Sequence, residues 1–357
     1  MASPRAEVLV HLDHIEANVA LLAERAGPAA TMAVVKADGY GHGAVPVARA
    51  ALRGGASWLG TVSLAEALAL RDAGIDAPIL CWLDPVGTDY RPAVAEGIDV
   101  AVSSVEQLRA VSGARVHLKI DTGLTRGGCP PGLWPELVRA AAASDSEVYA
   151  VWSHLACADD PGHPSIDAQA RRFAEAYEVA LAAGLRPRRH LANSAATLTR
   201  PDLCFDMVRV GIAMYGLNPV PGGEKLAPAM TFRSSVVSVK DIAAGESVSY
   251  GHLWTAERDT RLALVPVGYA DGVPRLLTGR MSVLVNDVLC PVRGRICMDQ
   301  FVVECDARPG DEVVLFGPGT RGEPTATDWA EAIGTIDYEI VTGMNRPRVT
   351  RTYLGER

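Results

Sequence analysis

The sequence predicts an α/β chain, with a (β/α)₈ barrel of the TIM type followed by a mostly β C-terminal domain. Between residues 30 and 212, short apolar runs alternate with alanine-rich helical patterns, and glycine follows several of these helices. Eight strand-plus-helix units over about 200 residues favour a closed parallel barrel over an open doubly wound sheet. After about residue 227 the sequence pattern changes to one that predicts short strands separated by Gly, Pro and Asp turns.

The barrel prediction depends on its candidate strands and on the helical patterns between them. The candidate strands are Met32–Ala37, Trp58–Val62, Pro78–Leu83, Asp99–Val102, Arg115–Asp121, Val148–His154, His190–Asn193 and Met207–Gly211. The clearest helical patterns are Glu66–Asp72, Val105–Val111, Trp134–Ala143 and Ala168–Ala183. Polar residues gather where the strands end, at Lys36, Asp121, His154, Ser194 and Arg209. In a barrel of this kind, that face carries the active site.

The sequence of the second part of the chain predicts strands and a single helix. The candidate strands are Ser234–Val239, Arg261–Val267, Met281–Val285 and Glu312–Leu315. The helix is predicted over Ala326–Ile333, after a capping-box pattern at Thr325–Asp328. The Pro- and Gly-rich segment Pro219–Pro228 is the expected hinge. We therefore assign residues 11–226 to the barrel, and residues 227–357 together with an N-terminal strand in 1–10 to the β-rich domain.

Composition excludes several classes of protein. The 357 residues are 48% hydrophobic and carry a net charge of −8, whereas a general nucleic-acid binder needs a basic face. No apolar run approaches the roughly 18 residues of a membrane span, and Met1–Glu7 has no signal-like apolar segment. The seven cysteines are scattered without a C-x-x-C pair, which is typical of reduced thiols. We expect a cytoplasmic protein that binds neither nucleic acid, membrane nor metal.

Lysine is rare in this sequence, and only four of the 34 basic residues are lysine. Lys36 ends the first candidate strand and precedes a glycine-rich turn. Gly39, Gly41 and Ala44 fit a dinucleotide-binding pattern, but Val62-Ser63 stands where that site needs an acid. Lys36 is therefore either a surface lysine beside a flexible loop or an amine in the barrel mouth. An amine there is suited to forming an imine with an aldehyde cofactor.

The segment Val34–Gly43 resembles the pyridoxal-phosphate attachment segment of bacterial alanine racemases, and further family-like segments follow in order. They are His117–Gly128, Ser153–Asp159, Ala192–Ala196, Arg209–Gly216, Ser249–Gly251, Gly268–Gly272 and Gly294–Gln300. Because these segments reach from residue 33 to residue 300, the resemblance covers nearly the whole chain.

The resemblance implies a homodimeric racemase with two bases. Lys36 would bind pyridoxal phosphate and act as the base on one face of the substrate. Tyr250 would be the base on the opposite face, supplied by the β-rich domain to the partner subunit. A tyrosine with a pKa of about 10 needs cationic neighbours to serve as a base, and His154 and Arg209 are the candidates.

The resemblance also assigns residues that hold the cofactor. Arg209 would face the pyridine nitrogen, and because arginine can only donate hydrogen bonds, that nitrogen would stay unprotonated. Tyr40, Ser194 and the backbone of Gly211 and Ile212 would hold the phosphate, since N–H donors suit a dianion.

A further set of residues would handle the substrate. Arg126 and the backbone N–H of Met298 would bind its carboxylate. Lys119 is often carbamylated in the family, and the resulting anion would orient Arg126. The plain alternative is a lysine paired with Asp121 or another carboxylate. Asp159, Tyr269 and Arg295 are expected to line the entry path, with a purely structural role as the alternative. Asp299 is a further supporting residue.

One departure from the family concerns the C-terminal region. Racemases of this family commonly carry a tyrosine shortly before an Arg-Val-Pro-Arg-like run, and Val341–Arg348 contains none. We therefore predict weaker cofactor retention or a looser Tyr250, unless Tyr338 or Tyr353 substitutes.

The expected activity is the interconversion of L- and D-alanine, a step that supplies peptidoglycan precursors. Three alternatives remain open at this point. One is a decarboxylase of the same architecture, which Arg209 and Tyr250 disfavour. Another is a non-enzymatic pyridoxal-phosphate carrier built on the barrel alone. The third is a racemase of broader specificity, acting for example on serine.

Overall fold

The computed structural model describes residues 5–220 and 222–355, and the chain divides into two compact units. We call Ile15–Gly39 with Gly43–Leu226 the barrel unit. The β unit consists of Met1–His14, Tyr40–His42 and Ala227–Arg357. Pro221 of the predicted hinge lies outside the described residues, as do the first four and last two residues of the predicted domains.

The first strand, β1 (Glu7–His11), belongs to the β unit, and the next eight form one parallel sheet. These are β2 (Ala30–Val34), β3 (Trp58–Thr61), β4 (Ile79–Cys81), β5 (Ile98–Val102), β6 (Arg115–Lys119), β7 (Glu147–Trp152), β8 (Arg188–His190) and β9 (Met207–Val210). Their order is β8-β7-β6-β5-β4-β3-β2-β9. Two backbone hydrogen bonds, from Asp206 to Arg189 and from Arg209 to Ala192, link the outer strands of this series. The predicted eight-stranded barrel is confirmed.

Helices separate the barrel strands, and several begin with a side-chain cap. Ser63, Ser104 and Asn193 each accept a hydrogen bond from the backbone N–H three residues further on, which satisfies a donor at the helix start. The helices up to the end of the barrel are Leu12–Ala26, Ala44–Arg53, Leu64–Asp72, Arg91–Ala95, Val105–Ala110, Trp134–Ala142, Pro164–Ala182 and Ser194–Thr199.

The polar interior of the barrel is clearest along β6. Because side chains alternate along a strand, Arg115, His117 and Lys119 share one face. His117 is completely buried, the Arg115 guanidinium lies 4.6 Å from the Tyr149 ring centroid, and Lys119 Nζ lies 4.5 Å from that of Trp152. Polar side chains therefore follow one another through the barrel, packed against aromatic rings.

The β unit is built on a nine-stranded sheet with a two-stranded ribbon, β12 (Ser247–Val248) and β13 (Trp254–Thr255). The sheet contains β1 with β10 (Met230–Ser235), β11 (Ser238–Ile242), β14 (Thr260–Val265), β15 (Ser282–Val285), β16 (Val288–Arg293), β17 (Phe301–Glu304), β18 (Glu312–Phe316) and β19 (Thr350–Leu354). Its order is β11-β14-β17-β16-β15-β18-β10-β1-β19. The helices Ala326–Ile333 and Asp337–Thr342 follow β18. The mostly β second part is confirmed.

Some local predictions in the β unit are wrong. The single strand expected at Ser234–Val239 is two strands, because the chain leaves the sheet at Val236 and Val237. These apolar residues sit in the connection, where their backbone N–H groups bond to Asp311 and Leu264. Within the described part of the chain, no helix is long and apolar enough to cross a membrane.

Candidate active site

Lys36 lies two residues past the end of β2 and opens a left-handed turn. Ala37, Asp38, Gly39 and Tyr40 all have φ between 51° and 61°. A non-glycine residue pays about 1–2 kcal/mol for this conformation, so the turn survives only where other contacts hold it. Lys36 is partly buried and its turn needs such contacts, which disfavours the alternative of a surface lysine beside a flexible loop.

Glu66 is the residue that anchors this turn. Its Oε1 accepts the backbone N–H of Ala37 at 2.8 Å, and its Oε2 accepts that of Val62 at 2.7 Å. Asp38 completes the hold, because its Oδ1 accepts the backbone N–H of Ala44 at 2.8 Å. Glu66 also belongs to a capping box with Ser63. One carboxylate thus joins the segment after β2 to the end of β3.

Four cations, Lys36, Lys119, Arg126 and Arg209, form what we call the cationic cluster of the barrel. Burial and the charge of Arg126 lower the pKa of Lys36. Burial, Arg209 and Arg126 lower the pKa of Lys119 to about 8. Among the described residues Lys119 forms no ion pair with Asp121, which instead accepts the backbone N–H groups of Gly123 and Thr125. The cluster is therefore suited to anionic ligands.

Arg209 is buried, and other parts of the barrel wall hold its guanidinium. Nη1 donates to His190 at Nδ1 (3.2 Å) and at the carbonyl oxygen (3.0 Å). Nη2 donates to the carbonyl oxygens of Ser153 (2.8 Å) and Leu191 (3.2 Å), and to His154 Nδ1 (3.2 Å). Burial lowers the pKa of Arg209 to about 9, which leaves the group cationic at neutral pH.

His154 does not provide the positive charge expected from the sequence. Burial, followed by the nearby charges of Arg209 and Arg126, lowers the pKa of His154 to about 3. Its Nδ1 accepts from Arg209, so the neutral ring carries its hydrogen on Nε2. His154 is a neutral hydrogen-bond donor, and the positive charge at this point of the barrel belongs to Arg209.

Ser194 faces a backbone turn after β9. Its Oγ accepts the N–H groups of Gly211 at 2.8 Å and of Ala213 at 3.4 Å. The helix that follows is capped by Asn193, so Ser194 Oγ does not serve as the cap. An Oγ that accepts from the backbone keeps its own O–H to donate, and the structure thus gathers a hydroxyl with the Gly211–Ala213 backbone.

In the β unit, Tyr250 is presented on an exposed turn. Its side chain is 74% exposed, and its neighbours Ser249 and Gly251 have φ of 64° and 75°. Ser249 Oγ donates to the Arg295 carbonyl oxygen at 2.9 Å, and the Arg295 guanidinium lies against Gly251. The structure therefore brings Arg295 to the Tyr250 turn.

Met298, Tyr269 and Asp299 occupy a second neighbourhood of the β unit. The N–H of Tyr269 donates to the Cys297 carbonyl oxygen at 3.1 Å, and that of Ala270 to Met298 at 3.0 Å. Gly268 is required here, since a Cβ would lie 2.2 Å from the Cys297 oxygen. Asp299 pairs with Arg348 at 2.7 Å. In the barrel unit, Asp159 lies on an exposed turn.

Tyr40, which groups with the β unit, packs beside a candidate for the missing tyrosine. The ring centroids of Tyr40 and Tyr338 are 6.0 Å apart. Close approach holds the helix Asp337–Thr342 there, because a Cβ on Gly41 would lie 2.5 Å from the Val341 oxygen. Tyr353, the other candidate, lies on β19 and pairs in register with Val10 of β1.

Sequence reasoning missed Glu66, His117, His190 and Asp99 as parts of this site. His117 and His190 stood in the quoted segment and in a candidate strand, but neither received a role. The available signal was the alternation Arg115, His117, Lys119, which puts three polar side chains on one strand face.

Comparison with known proteins agrees with this architecture. The family model described as alanine racemase, N-terminal domain, matches residues 10–219, and that of the C-terminal domain matches residues 229–353. An alanine racemase of Salinispora arenicola is 55% identical over 99% of both chains. One of Mycobacterium tuberculosis is 52% identical over 98% of this chain and 96% of its own.

Solved structures give the same result. The alanine racemase of Streptomyces lavendulae has a TM-score of 0.97 at 49% identity, covering 100% of this chain and 99% of its own. That of Streptomyces coelicolor has a TM-score of 0.94 at 52% identity, covering 99% and 98%. The fold and the similarity to these families and structures define the protein as an amino-acid racemase, which is a class of isomerase. Within that class, the chain belongs to the alanine racemase family. The decarboxylase and barrel-only carrier alternatives are wrong.

Proposed function

We propose that this chain interconverts L- and D-alanine with pyridoxal phosphate as its cofactor. The observation that carries the proposal is the cationic cluster, in which burial and Arg126 depress the pKa of the Lys36 amine. A neutral amine forms an imine with an aldehyde, whereas an ammonium does not. The surrounding cations suit a ligand that bears a phosphate and a substrate that bears a carboxylate.

The donor set of the barrel fits this cofactor. The Ser194 hydroxyl and the backbone at Gly211 and Ile212, with Tyr40, would hold the phosphate. The Arg209 guanidinium would face the pyridine nitrogen, and it can only donate there. Lys36 Nζ would bind the aldehyde carbon. When bound, the cofactor would withdraw electrons from the substrate α-carbon and so make its C–H bond acidic.

Two groups of the protein would then move the proton. Racemisation needs one group to remove the α-proton and another to return a proton on the opposite face. Lys36 Nζ would serve one face, since its lowered pKa favours the neutral, proton-accepting amine. Tyr250 of the partner subunit would serve the other, and its exposed turn is consistent with a role in a homodimer. Neutral His154 would add a hydrogen-bond donor.

Arg126 and the Met298 backbone N–H would bind the substrate carboxylate. Arg126 lies in an exposed loop, and its charge acts on Lys36, Lys119 and His154, so it belongs electrostatically to the same site. Asp159, Tyr269, Arg295 and Asp299 would line the approach. The D-alanine produced would enter cell-wall precursors in the cytoplasm.

Lys119 is expected to take up carbon dioxide as a carbamate. Carbon dioxide adds only to the neutral amine, forming an N–C bond and releasing a proton. With a pKa of about 8, the neutral fraction of Lys119 grows as pH rises through that value. In ¹³C NMR with labelled bicarbonate, a carbamate signal should strengthen from about pH 7 to about pH 9. The product is an anion among cations, which would orient Arg126.

Two lysine substitutions control that measurement. Lys119→Met should remove the signal, and Lys240→Met on exposed β11 should leave it intact. A carbamate signal that persists in Lys119→Met would contradict the assignment.

Tyr338 is expected to substitute for the missing C-terminal tyrosine. Tyr338→Leu removes the ring beside Tyr40, and an aromatic pair is worth about 0.5–1.5 kcal/mol. The dissociation constant for pyridoxal phosphate should therefore rise about two- to thirteenfold, as measured by fluorescence titration. Tyr353→Leu on β19 is the matched comparison; a larger loss of affinity there would assign the role to Tyr353 instead.

The direct test of the proposed activity is the optical rotation of L-alanine with purified protein and added pyridoxal phosphate. We expect the rotation to decay to zero while the alanine concentration stays constant. Persistent rotation would refute the proposal. Repeating the measurement with L-serine, alone and in competition, determines whether the specificity is broader.

A further inference from the structure

A continuous chain of hydrogen bonds runs through the barrel interior from Arg209 to an acid on β5. Arg209 Nη1 donates to His190 Nδ1 at 3.2 Å. His190 Nε2 lies 2.9 Å from His117 Nδ1, and His117 Nε2 lies 2.9 Å from Asp99 Oδ2. All four side chains are buried. We call Asp99, His117 and His190 the barrel relay.

Hydrogen-bond chemistry gives this relay one direction. Arginine can only donate, so His190 Nδ1 must accept and His190 must carry its hydrogen on Nε2. That hydrogen is donated to His117 Nδ1, which leaves the His117 hydrogen on Nε2, aimed at the Asp99 carboxylate. Burial lowers the pKa of both histidines, in agreement with neutral rings. Each ring therefore has a single tautomer, and every bond points from the cation toward the anion.

Aromatic rings and a second arginine fix the relay in position. Trp152 stacks on His190 with ring centroids 5.4 Å apart and an interplanar angle of 7°. Tyr149 stacks on His117 at 5.1 Å. Arg115 Nε contacts both oxygens of Asp99, at 2.8 and 3.0 Å, so a second donor also holds the carboxylate. Neither imidazole can turn without losing these contacts.

Arg209 depends on the relay because it has no acid of its own. Among the described residues no carboxylate pairs with its guanidinium, although the group is buried. The guanidinium has five N–H groups, and the four on Nη1 and Nη2 donate to protein acceptors. The Nε–H is the donor left for a ligand. Chained hydrogen bonds polarise one another, so the Asp99 charge strengthens the acceptor that Arg209 meets at His190.

We propose that Asp99 and His117 are positioning residues of this racemase, which act through His190 to fix the orientation of the Arg209 guanidinium and stabilise its charge. The inference rests on the proposed function, in which Arg209 faces the cofactor ring. Neither residue touches the reacting atoms. Their effect passes through the tautomer of His190, which must present an unprotonated Nδ1 to Arg209.

Substitutions at His117 separate this role from simple filling of the barrel. His117→Leu keeps a buried side chain of similar size but interrupts the relay. His117→Gln restores it, because its amide oxygen accepts from His190 and its NH₂ donates to Asp99. We expect kcat for alanine to fall about 10- to 100-fold in His117→Leu, with little change in KM, and to recover largely in His117→Gln. The absorption spectrum of bound pyridoxal phosphate should change and recover in parallel.

A readout independent of activity is the ¹⁵N NMR spectrum of the histidine rings, with and without added pyridoxal phosphate. We expect His190 and His117 to be neutral with hydrogen on Nε2 in both samples. If His117→Leu fails to fold, Asp99→Asn is the second test, because it is isosteric and removes the charge. We expect it to shift the His117 ring signals and to lower kcat.

Three results would overturn the inference: hydrogen on His190 Nδ1, wild-type kcat and spectrum in His117→Leu, or a Gln variant no better than Leu. Failure of the proposed function could be distinguished from failure of this inference. In that case the wild-type protein itself would not racemise alanine, while the ring signals would still report whether the relay exists.

Discussion

Lys36→Ala is expected to abolish racemisation and covalent retention of pyridoxal phosphate together. The variant removes both the amine that binds the aldehyde and the base on one face of the substrate. A general base alone contributes about 10²–10⁴-fold, so the combined loss should exceed about 10⁴-fold in kcat. The measurements are polarimetry with L- and with D-alanine, and absorbance of the protein after removal of free cofactor.

Stability separates this loss from misfolding. Burial and Arg126 oppose the charge on Lys36, so deleting the amine relieves repulsion within the cationic cluster. The thermal midpoint of the cofactor-free variant should therefore equal or exceed that of the wild type. Lys36→Arg provides a second variant, which keeps a cation but cannot form the imine or give up its proton at neutral pH. Activity within tenfold of the wild type in either variant would contradict the assignment.

The barrel was predictable because its signals are local. Most of the parallel strands are buried on both faces and appear in the sequence as short apolar runs, such as Trp58–Thr61. Strand ends were less accurate: the run Met32–Ala37 continues past β2, which ends at Val34. The apolar residues Val35 and Ala37 look like a continuation of the strand and do not reveal that the backbone turns left-handed at Ala37. The strain at Ala37 and Asp38 depends on Glu66, nearly thirty residues away.

The β unit was predicted less completely for a related reason. Some of its strands, such as β11 and β16, are partly exposed and carry weak signals; β16 even contains Pro291 and was not predicted. The apolar pair Val236-Val237 looked like strand but forms a connection.

The site shows the same limit of sequence reasoning. The resemblance named Lys36, Arg209 and Ser194, but it could not say that His154 is neutral. That conclusion requires the burial of the ring and its distance from Arg209, both of which are properties of the fold. The barrel relay likewise joins residues from different strands, and its direction follows only once the acceptor of each N–H is known.

Tyr250→Phe is expected to abolish racemisation while leaving the cofactor bound. The change removes one hydroxyl from a side chain that is 74% exposed within its own subunit, so the fold of that subunit should be unaffected. Loss of a positioned general base should lower kcat by about 10²–10⁴-fold in both directions. Absorbance should show wild-type retention of pyridoxal phosphate, because Lys36 is intact.

Solvent exchange makes this experiment specific for a two-base mechanism. In D₂O, followed by proton NMR, the wild type should exchange the α-hydrogen of both enantiomers. The Phe variant should exchange that of one enantiomer only, because Lys36 still serves its own face and no group serves the other. Tyr90→Phe, a change outside the site, should behave like the wild type. If Tyr250→Phe turned over normally, or exchanged both enantiomers equally, a different group would have to return the proton on the second face.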